Sequence, residues 1–391
     1  MGLFTRDKKE TPKVITELPL FLGKVVKQAA VEIPKPVESK VGTWVLNGKD
    51  NCFPKDLTKL KNESAVHSAI IENAARLTVG KGLMFGDTRE QSDALIASMS
   101  TIDQVRLKQF LKTISTTETI DELMFKVIRD YKTFGYAFLE VIWNDTHTKP
   151  VQINYIDASR VALGRLNEDG DVDTFWYSND WSNIKNNTPV SIEIFNPETE
   201  GDNQLIFFKN QASGMDYYGL PSYYAALNWI KCDSLVAKTN LNSIENGFSP
   251  NLLVRFFGEP TPEQKDSIVS EFKRSLTGLG QKIMFLFWQG KDDAPEVTPI
   301  NVENFNERMV SLNDLIIQQI ISGHRTHPGL VGISVPGKLG YSNELKTQAV
   351  LYYNTVIKPE RFQFEKALNT LLSLNGFNVD AQFEDFNIEY Q

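Results

Sequence analysis

The chain has 391 residues, 41% hydrophobic and 23% charged, with 24 Phe, 12 Tyr and 6 Trp; this excludes a disordered chain and provides for one large multi-part domain or a few smaller ones. Its 41 Lys plus Arg face 49 Asp plus Glu, a formal net charge of -8. That balance argues against tight wrapping on phosphates, which needs a dense positive field, but not against a protein that lets a polyanion slide past.

Residues 1 to 60 are rich in Lys, Pro and turn formers, with Pro34 and Pro36 close together, and read as a partly extended arm with short strands at most. A helix is expected over 64–79, where Val66, Ile70, Ala74 and Leu77 share a face before Gly80 and Gly82. A second covers 100–113. A third runs over 120–134, opened by Thr119 and Glu122 at capping-box spacing, striped by Leu123, Val127 and Tyr131, and ended by Gly135. Tyr136 to Trp143 then reads as a strongly apolar strand. Further strands follow at 151–156, 160–167, 172–177, 190–195 and 204–209, with a hairpin turn at Asp169-Gly170, so 136–210 is expected to be mainly antiparallel sheet.

From Pro221 to Glu245 no residue breaks a helix, and Tyr223, Leu227, Ile230, Ala237, Leu241 and Ile244 draw a stripe along it. Such a helix would be roughly 35 to 40 Å long, more than one compact core requires, so part of it is expected to pack outside its own domain. A strand at 252–257 follows, and Thr261-Pro262-Glu263-Gln264 opens a returning helix that Gly278 and Gly280 close. Ile283 to Trp288 reads as a buried strand and 289–304 as a loop. A helix over 305–322 and a last helical section over 343–373, interrupted near Pro359, complete the chain.

Candidate chemistry is sparse. His324 and His327 have the i,i+3 spacing of a shared metal, but beyond a helix end such residues also satisfy terminal carbonyls or pack, which is the plainer reading. Asp292 and Asp293 would suit a Mg²⁺ site only with a carboxylate from another element; otherwise they are solvated loop residues. Val79-Gly-Lys-Gly82 lacks the spacing of a phosphate-binding loop, and neither a nucleophile elbow nor a zinc helix is present. No enzymatic activity and no cofactor are therefore expected. Cys52 and Cys232 have no metal spacing and read as reduced thiols of an intracellular protein. Without a signal-like segment after Met1 or an apolar run of membrane length, no membrane association is expected.

Five segments in order resemble the phage portal family, in its branch similar to phage HK97 and to defective Bacillus prophages. They are Phe134-Gly-Tyr-Ala-Phe-Leu-Glu140, Tyr218-Gly-Leu-Pro-Ser-Tyr-Tyr-Ala-Ala226, Glu245-Asn-Gly-Phe-Ser-Pro250, Thr261-Pro-Glu-Gln264 and Ser322-Gly-His-Arg-Thr-His-Pro-Gly-Leu-Val-Gly332. The resemblance implies an α+β portal fold with a mixed α/β wing, long stem helices, a small β clip and a helical crown. In matching order, 1–60 is the arm, 61–215 the wing, 216–246 the first stem helix and 247–261 the clip. The returning stem helix is 262–280, the wing strand, tunnel loop and wing helix are 281–324, and the crown and C-terminal segment are 325–391.

It further implies a homo-oligomeric ring of twelve subunits at one capsid vertex of the virion, assembled in the host cytoplasm. Double-stranded DNA would pass through this ring on packaging and ejection without sequence recognition. Implied partners are the large terminase, a head-tail adaptor and the major capsid or scaffold protein. By this resemblance Gln289, Lys291, Asp292 and Asp293 would lie on the DNA-facing tunnel loop, Lys291 touching phosphate and the two aspartates preventing adhesion. Tyr223, Leu227, Ile230, Leu241 and Phe248 are expected at subunit interfaces. The alternatives are another ring-forming phage tail or baseplate structural protein, and a metal-dependent nucleic-acid enzyme in which Asp292, Asp293 or His324 meets a further carboxylate.

Overall fold

The structure, a computed structural model, describes residues 30–115, 118–245, 251–257, 261–264, 266–268, 270, 283–288, 296–300, 305–332 and 342–386. The chain divides into two units: one comprises 235–311, the other 30–234 together with 312–391.

The larger unit is a helix-covered sheet. Its helices are α1 (Cys52–Glu63), α2 (Ala65–Val79), α3 (Arg89–Ser98), α4 (Thr101–Thr113) and α5 (Ile120–Phe134). Its strands are β1 (Pro36–Glu38), β2 (Trp44–Asn47), β3 (Leu83–Phe85), β4 (Tyr136–Trp143), β5 (Pro150–Ile156), β6 (Val161–Gly164), β7 (Thr174–Tyr177), β8 (Val190–Ile194) and β9 (Asn203–Lys209). Eight of them form one sheet in the order β1-β2-β6-β7-β8-β9-β4-β5. All neighbours are antiparallel except β8 and β9.

α5 forms as its sequence dictates. Thr119 and Glu122 make a reciprocal capping box, and Gly135 closes the helix in the left-handed region at φ 79°. Its inner face, Leu123, Met124, Val127 and Ile128, is fully buried against Ala137, Leu139 and Val141 of β4. Each such side chain contributes on the order of 1.5 to 3 kcal/mol. The opposite face of β4 is covered too: Phe138 stacks on Phe207 at 5.1 Å and meets Phe175 edge-on at 5.2 Å. Burial on both faces explains why β4 reads as a continuous apolar run rather than an alternating one.

Residues 312–391 return to this unit. Here α6 (Leu227–Glu245) and α7 (Phe305–Gly323) are the helices within which the chain passes from one unit to the other, and α8 (Ser342–Tyr352) leads through a π-helical turn, Tyr353–Ile357, into α9 (Lys358–Leu374). The interruption expected near Pro359 is thus a widened turn, with proline in the first turn of α9 where its missing N–H leaves no bond unmade. Phe364, Leu368 and Leu371 of α9 join the α5 core. Strand β13 (Ala381–Phe383) then pairs antiparallel with β3. Both outer edges of this small sheet are closed by side chains. Asn369 and Glu365 accept from the Ala381 and Phe383 amides, and Asp121 and Ser92 accept from those of Leu83 and Phe85.

Four expectations need correction. The arm contains a helix, α1, whose Phe53, Leu57 and Leu60 recur at helical spacing and are buried, while Pro54 sits in the first turn. α3, capped by Thr88, lies in a stretch for which no element was expected. The long helix begins not at Pro221 but at Leu227, after a 3-10 turn over Tyr224–Ala226, so its 19 residues span about 28 Å. Finally, part of the expected loop 289–304 is a strand, as the smaller unit shows.

In the smaller unit, β10 (Asn251–Phe257) is the centre of a three-stranded sheet, parallel to β11 (Ile283–Trp288) and antiparallel to β12 (Glu296–Ile300). Pro299 belongs to β12 because that strand is an edge, where an absent N–H leaves no ladder bond unmade. Thr261 and Gln264 form the expected reciprocal cap, and the described residues of 262–270 are helical.

Candidate functional site

Three of the five resembling segments converge in the larger unit. Gly135 lies so close to Leu220 that an added Cβ would sit 2.0 Å from the Leu220 carbonyl carbon, and Asn210 donates its amide to the Gly135 carbonyl at 2.8 Å. Tyr218 is fully buried, and its hydroxyl donates to the Val45 carbonyl at 2.6 Å and accepts from the Leu163 amide at 3.1 Å, joining β2 to β6. Tyr223 follows with its hydroxyl donating to the Thr133 carbonyl at 2.6 Å. The third segment arrives at Gly323, where a Cβ would fall 2.4 Å from that of Ala226.

At this junction His324 does not meet His327. Its Nε2 lies 2.9 Å from Nδ1 of His67 on α2, and Tyr223 contacts both rings, 4.5 Å from His67 and 4.7 Å from His324. We place the His67 proton on Nδ1, donating to His324, because a proton on Nε2 would have no acceptor among the described residues. Burial holds both imidazoles neutral: His67 is pushed down to about 3, with Lys61 adding to the effect, and His324 is lowered by burial, by His67 and by Lys132. His327 instead accepts the Gly329 amide at 3.2 Å in a turn. Its role is local capping, consistent with the plainer expectation for this segment.

A second buried cluster ties α9 to the other end of α2. Arg361, 3% exposed, donates through Nε to the Thr78 carbonyl at 2.7 Å and through Nη2 to that of Leu77 at 2.8 Å. Its Nη1 reaches the Phe383 carbonyl at 3.0 Å, the Tyr353 hydroxyl and Asp385. Nearby, the buried Lys132 pairs with Glu360. His67, Arg361 and the Lys132–Glu360 pair escaped the sequence reading, since their partners lie hundreds of positions away; the sole local hint was charge inside an otherwise apolar helical stripe.

Of the expected interface residues, Tyr223, Leu227 and Ile230 are corrected. They are 0%, 2% and 0% exposed within their own chain and have no surface to offer a neighbour. Leu241, on the same helix, is 55% exposed. Phe248 lies outside the described residues, as do Gln289, Lys291, Asp292 and Asp293. Trp288 pairs beside Phe257 on one side of β10 and Glu296 beside Arg255 on the other, so β11 ends and β12 begins at the same end of the small sheet.

No group of three or more His, Cys, Asp or Glu among the described residues is arranged to hold a metal. Cys52 and Cys232 are both free and half-buried, with the Cys52 thiol raised mainly by burial. No helix among the described residues is long and apolar enough to cross a membrane.

Residues 100–389 match the family described as Phage portal protein, a span reaching across both units. The chain belongs to the phage portal family. Solved structures agree in fold. A chain from the neck of an empty GTA particle, computed with C6 symmetry, superposes with a TM-score of 0.58 at 15% identity, covering 90% of this chain and 87% of that one. A neck of a native GTA particle computed with C12 symmetry gives 0.53 at 15% identity, covering 85% and 84%. An HK97 family phage portal protein from Corynebacterium diphtheriae gives 0.50 at 9% identity, covering 90% and 96%. No curated protein matches the sequence. Portal proteins are structural, and the α+β fold of this chain matches theirs.

Proposed function

We propose that this chain is the subunit of a twelve-fold ring at one vertex of a viral capsid, the conduit through which double-stranded DNA is packaged and ejected. The observation that carries this reading is the portal-family match over 100–389, supported by the likeness to the GTA neck chain in a C12 structure. In this reading 61–215 is the wing and 1–60 the arm. The stem consists of 216–246, helical from Leu227, and of 262–280, with 247–261 as clip. The wing strand, tunnel loop and wing helix are 281–324, and 325–391 forms the crown and C-terminal segment.

The exposed Leu241 and Ile244 on α6 then face neighbouring subunits, with Phe248 beyond them. Gln289, Lys291, Asp292 and Asp293 face DNA, touching phosphate and groove shape without reading bases. The large terminase during filling, a head-tail adaptor afterward, and the major capsid or scaffold protein are the partners. The ring assembles in the host cytoplasm and stays in the virion.

Cryo-electron microscopy of the purified protein and of assembled heads, without imposed symmetry, tests this. Twelve subunits around a channel of DNA width are expected. Rings of three-fold or six-fold order in both samples would replace the portal reading with that of a tail or baseplate component. Charge swaps at Lys291, Asp292 and Asp293 that leave packaging unchanged would remove the DNA-facing role from 289–295.

A further inference from the structure

Arg76 on α2 and Arg129 on α5 both lie over the ring of Phe125, at 5.0 and 5.8 Å from its centroid. They line a recess of 660 Å³ together with Glu118, Asp121, Glu122 and Lys126. The acids there are already engaged. Glu118 is paired with Lys126, Asp121 accepts the Leu83 amide at 3.0 Å, and Glu122 accepts the amide and hydroxyl of Thr119 at 2.9 and 3.0 Å. Neither guanidinium has a carboxylate partner among the described residues. Two planar forks held on one aromatic face, with no carboxylate on them among the described residues, form a receptor for a carboxylate. They do not form a track for nucleic acid, because the three cations of the lining are matched by its three acids and a polyanion needs a net positive field.

The same chain displays a complementary element. The turn between β6 and β7 carries Glu168, Asp169, Asp171 and Asp173, all exposed and none paired with a cation among the described residues. Gly170, at the tip with φ 86°, has nothing within 4 Å of where its Cβ would be, so the turn stands clear of its own subunit. Arg165 beside it is turned to Glu38.

The recess lies at the β5 edge of the large sheet, where Lys126 covers the Tyr155 ring and Asp130 accepts from the Tyr155 hydroxyl. The turn leaves from the far end of β6, four strand residues or about 13 Å beyond the short 157–160 connection from β5. Two distinct, separated patches of opposite charge suit a head-to-tail contact repeated by rotation, whereas a two-fold dimer requires one self-complementary patch.

We propose that the acidic β6–β7 turn of one subunit seats a carboxylate between Arg76 and Arg129 of the next subunit, an inference that rests on the ring reading above. The contact fixes the order of neighbours at the sheet-bearing part of each subunit. It is charge-assisted and therefore weakens with salt.

The test is charge exchange in the full chain. Subunit concentration at half-assembly is measured by sedimentation velocity and native mass spectrometry for wild type, R76E/R129E, D169K/D171K and the four-fold combination, with R76Q/R129Q as a milder variant. Circular dichroism and thermal melting of each monomer check folding. Each reversal is expected to raise the half-assembly concentration at least about ten-fold, R76Q/R129Q to raise it less, and the combination to return it to within about three-fold of wild type.

Unchanged assembly in R76Q/R129Q, or a combination no better than its parts, overturns the contact while leaving the ring intact. Rescue of R76E/R129E by E389K instead of by D169K/D171K also overturns it, since the arginines would then hold their own chain's C-terminal segment. Intact R76Q/R129Q rings that lose DNA retention overturn it in favour of nucleic acid. If wild type forms no ring, alone or in heads, the ring reading falls and takes this contact with it.

Discussion

Two buried polar clusters occupy opposite ends of α2, and they solve the same problem differently. At the C-terminal end Arg361 keeps its charge, because carbonyls of α2 and β13, a tyrosine hydroxyl and Asp385 fill its donors. The carbonyls of Leu77 and Thr78 are also helix-terminal groups that would otherwise lack partners, and a cation there meets the negative end of the helix dipole. At the N-terminal end, among the described residues, His67 and His324 contact each other and the face of Tyr223, with lysines nearby, and they remain uncharged. A buried group stays charged only where its whole complement of bonds is provided.

The contrast breaks first at Arg361. R361M should destabilise the larger unit by about 3 to 5 kcal/mol, since several buried acceptors lose their donor at once, and R361K should recover only part because one ammonium cannot span the same set. Urea denaturation followed by near-UV circular dichroism measures both. A loss under about 1 kcal/mol would mean that water replaces the guanidinium and that the cluster is not a tie.

The histidine pair should show itself through pH. The folded His67 value is about 3 against 6.5 for the free side chain, so between these values the unfolded chain binds more protons. Stability should therefore rise with pH through that window, by up to about 1.4 kcal/mol per unit for each histidine, and be complete above it. Asp130 runs the other way: burial pushes it up to about 7 from 3.8, so its contribution falls as pH rises between those values. Subtracting the profile of H67L/H324L from that of wild type isolates the histidines, and equal slopes would remove them from the account.

At neutral pH a smaller difference sharpens the same point. H324L alone should cost about 1 to 3 kcal/mol by leaving His67 without a partner, whereas H67L/H324L should cost less than the sum of the single changes. A strictly additive cycle would show that the two rings do not interact. Smallest of all, Y223F should cost about 1 kcal/mol through the lost bond to the Thr133 carbonyl, while leaving the aromatic contacts in place.

The sequence exposed those elements whose reasons are local. The cap and Gly135 stop of α5, the apolar run of β4, the 167–171 turn and the Thr261–Gln264 cap are each written within a few residues. It failed where a distant partner decides. α1 was hidden in a Lys- and Pro-rich context whose three inward positions matter only once a core exists to receive them. β12 was hidden by Pro299, which an edge strand admits and a central one does not. The helical pattern from Pro221 concealed that Tyr223 must turn inward toward Thr133 before the regular helix begins. The histidine pair, separated by 257 positions, left no periodic trace.

The larger unit is written in two pieces, 30–234 and 312–391, with 235–311 between them. Arg361 reaches back 283 positions to Thr78, and Phe364, Ala367, Leu368, Leu371 and Phe383 complete a core whose other members precede residue 209. During synthesis the eight-stranded sheet is therefore finished long before α9 emerges, and the nascent chain waits with Tyr131 and Phe208 lacking the Phe364 ring that packs on them. Such long-range closure is slow and leaves the chain prone to association until 312–391 has emerged to complete the larger unit.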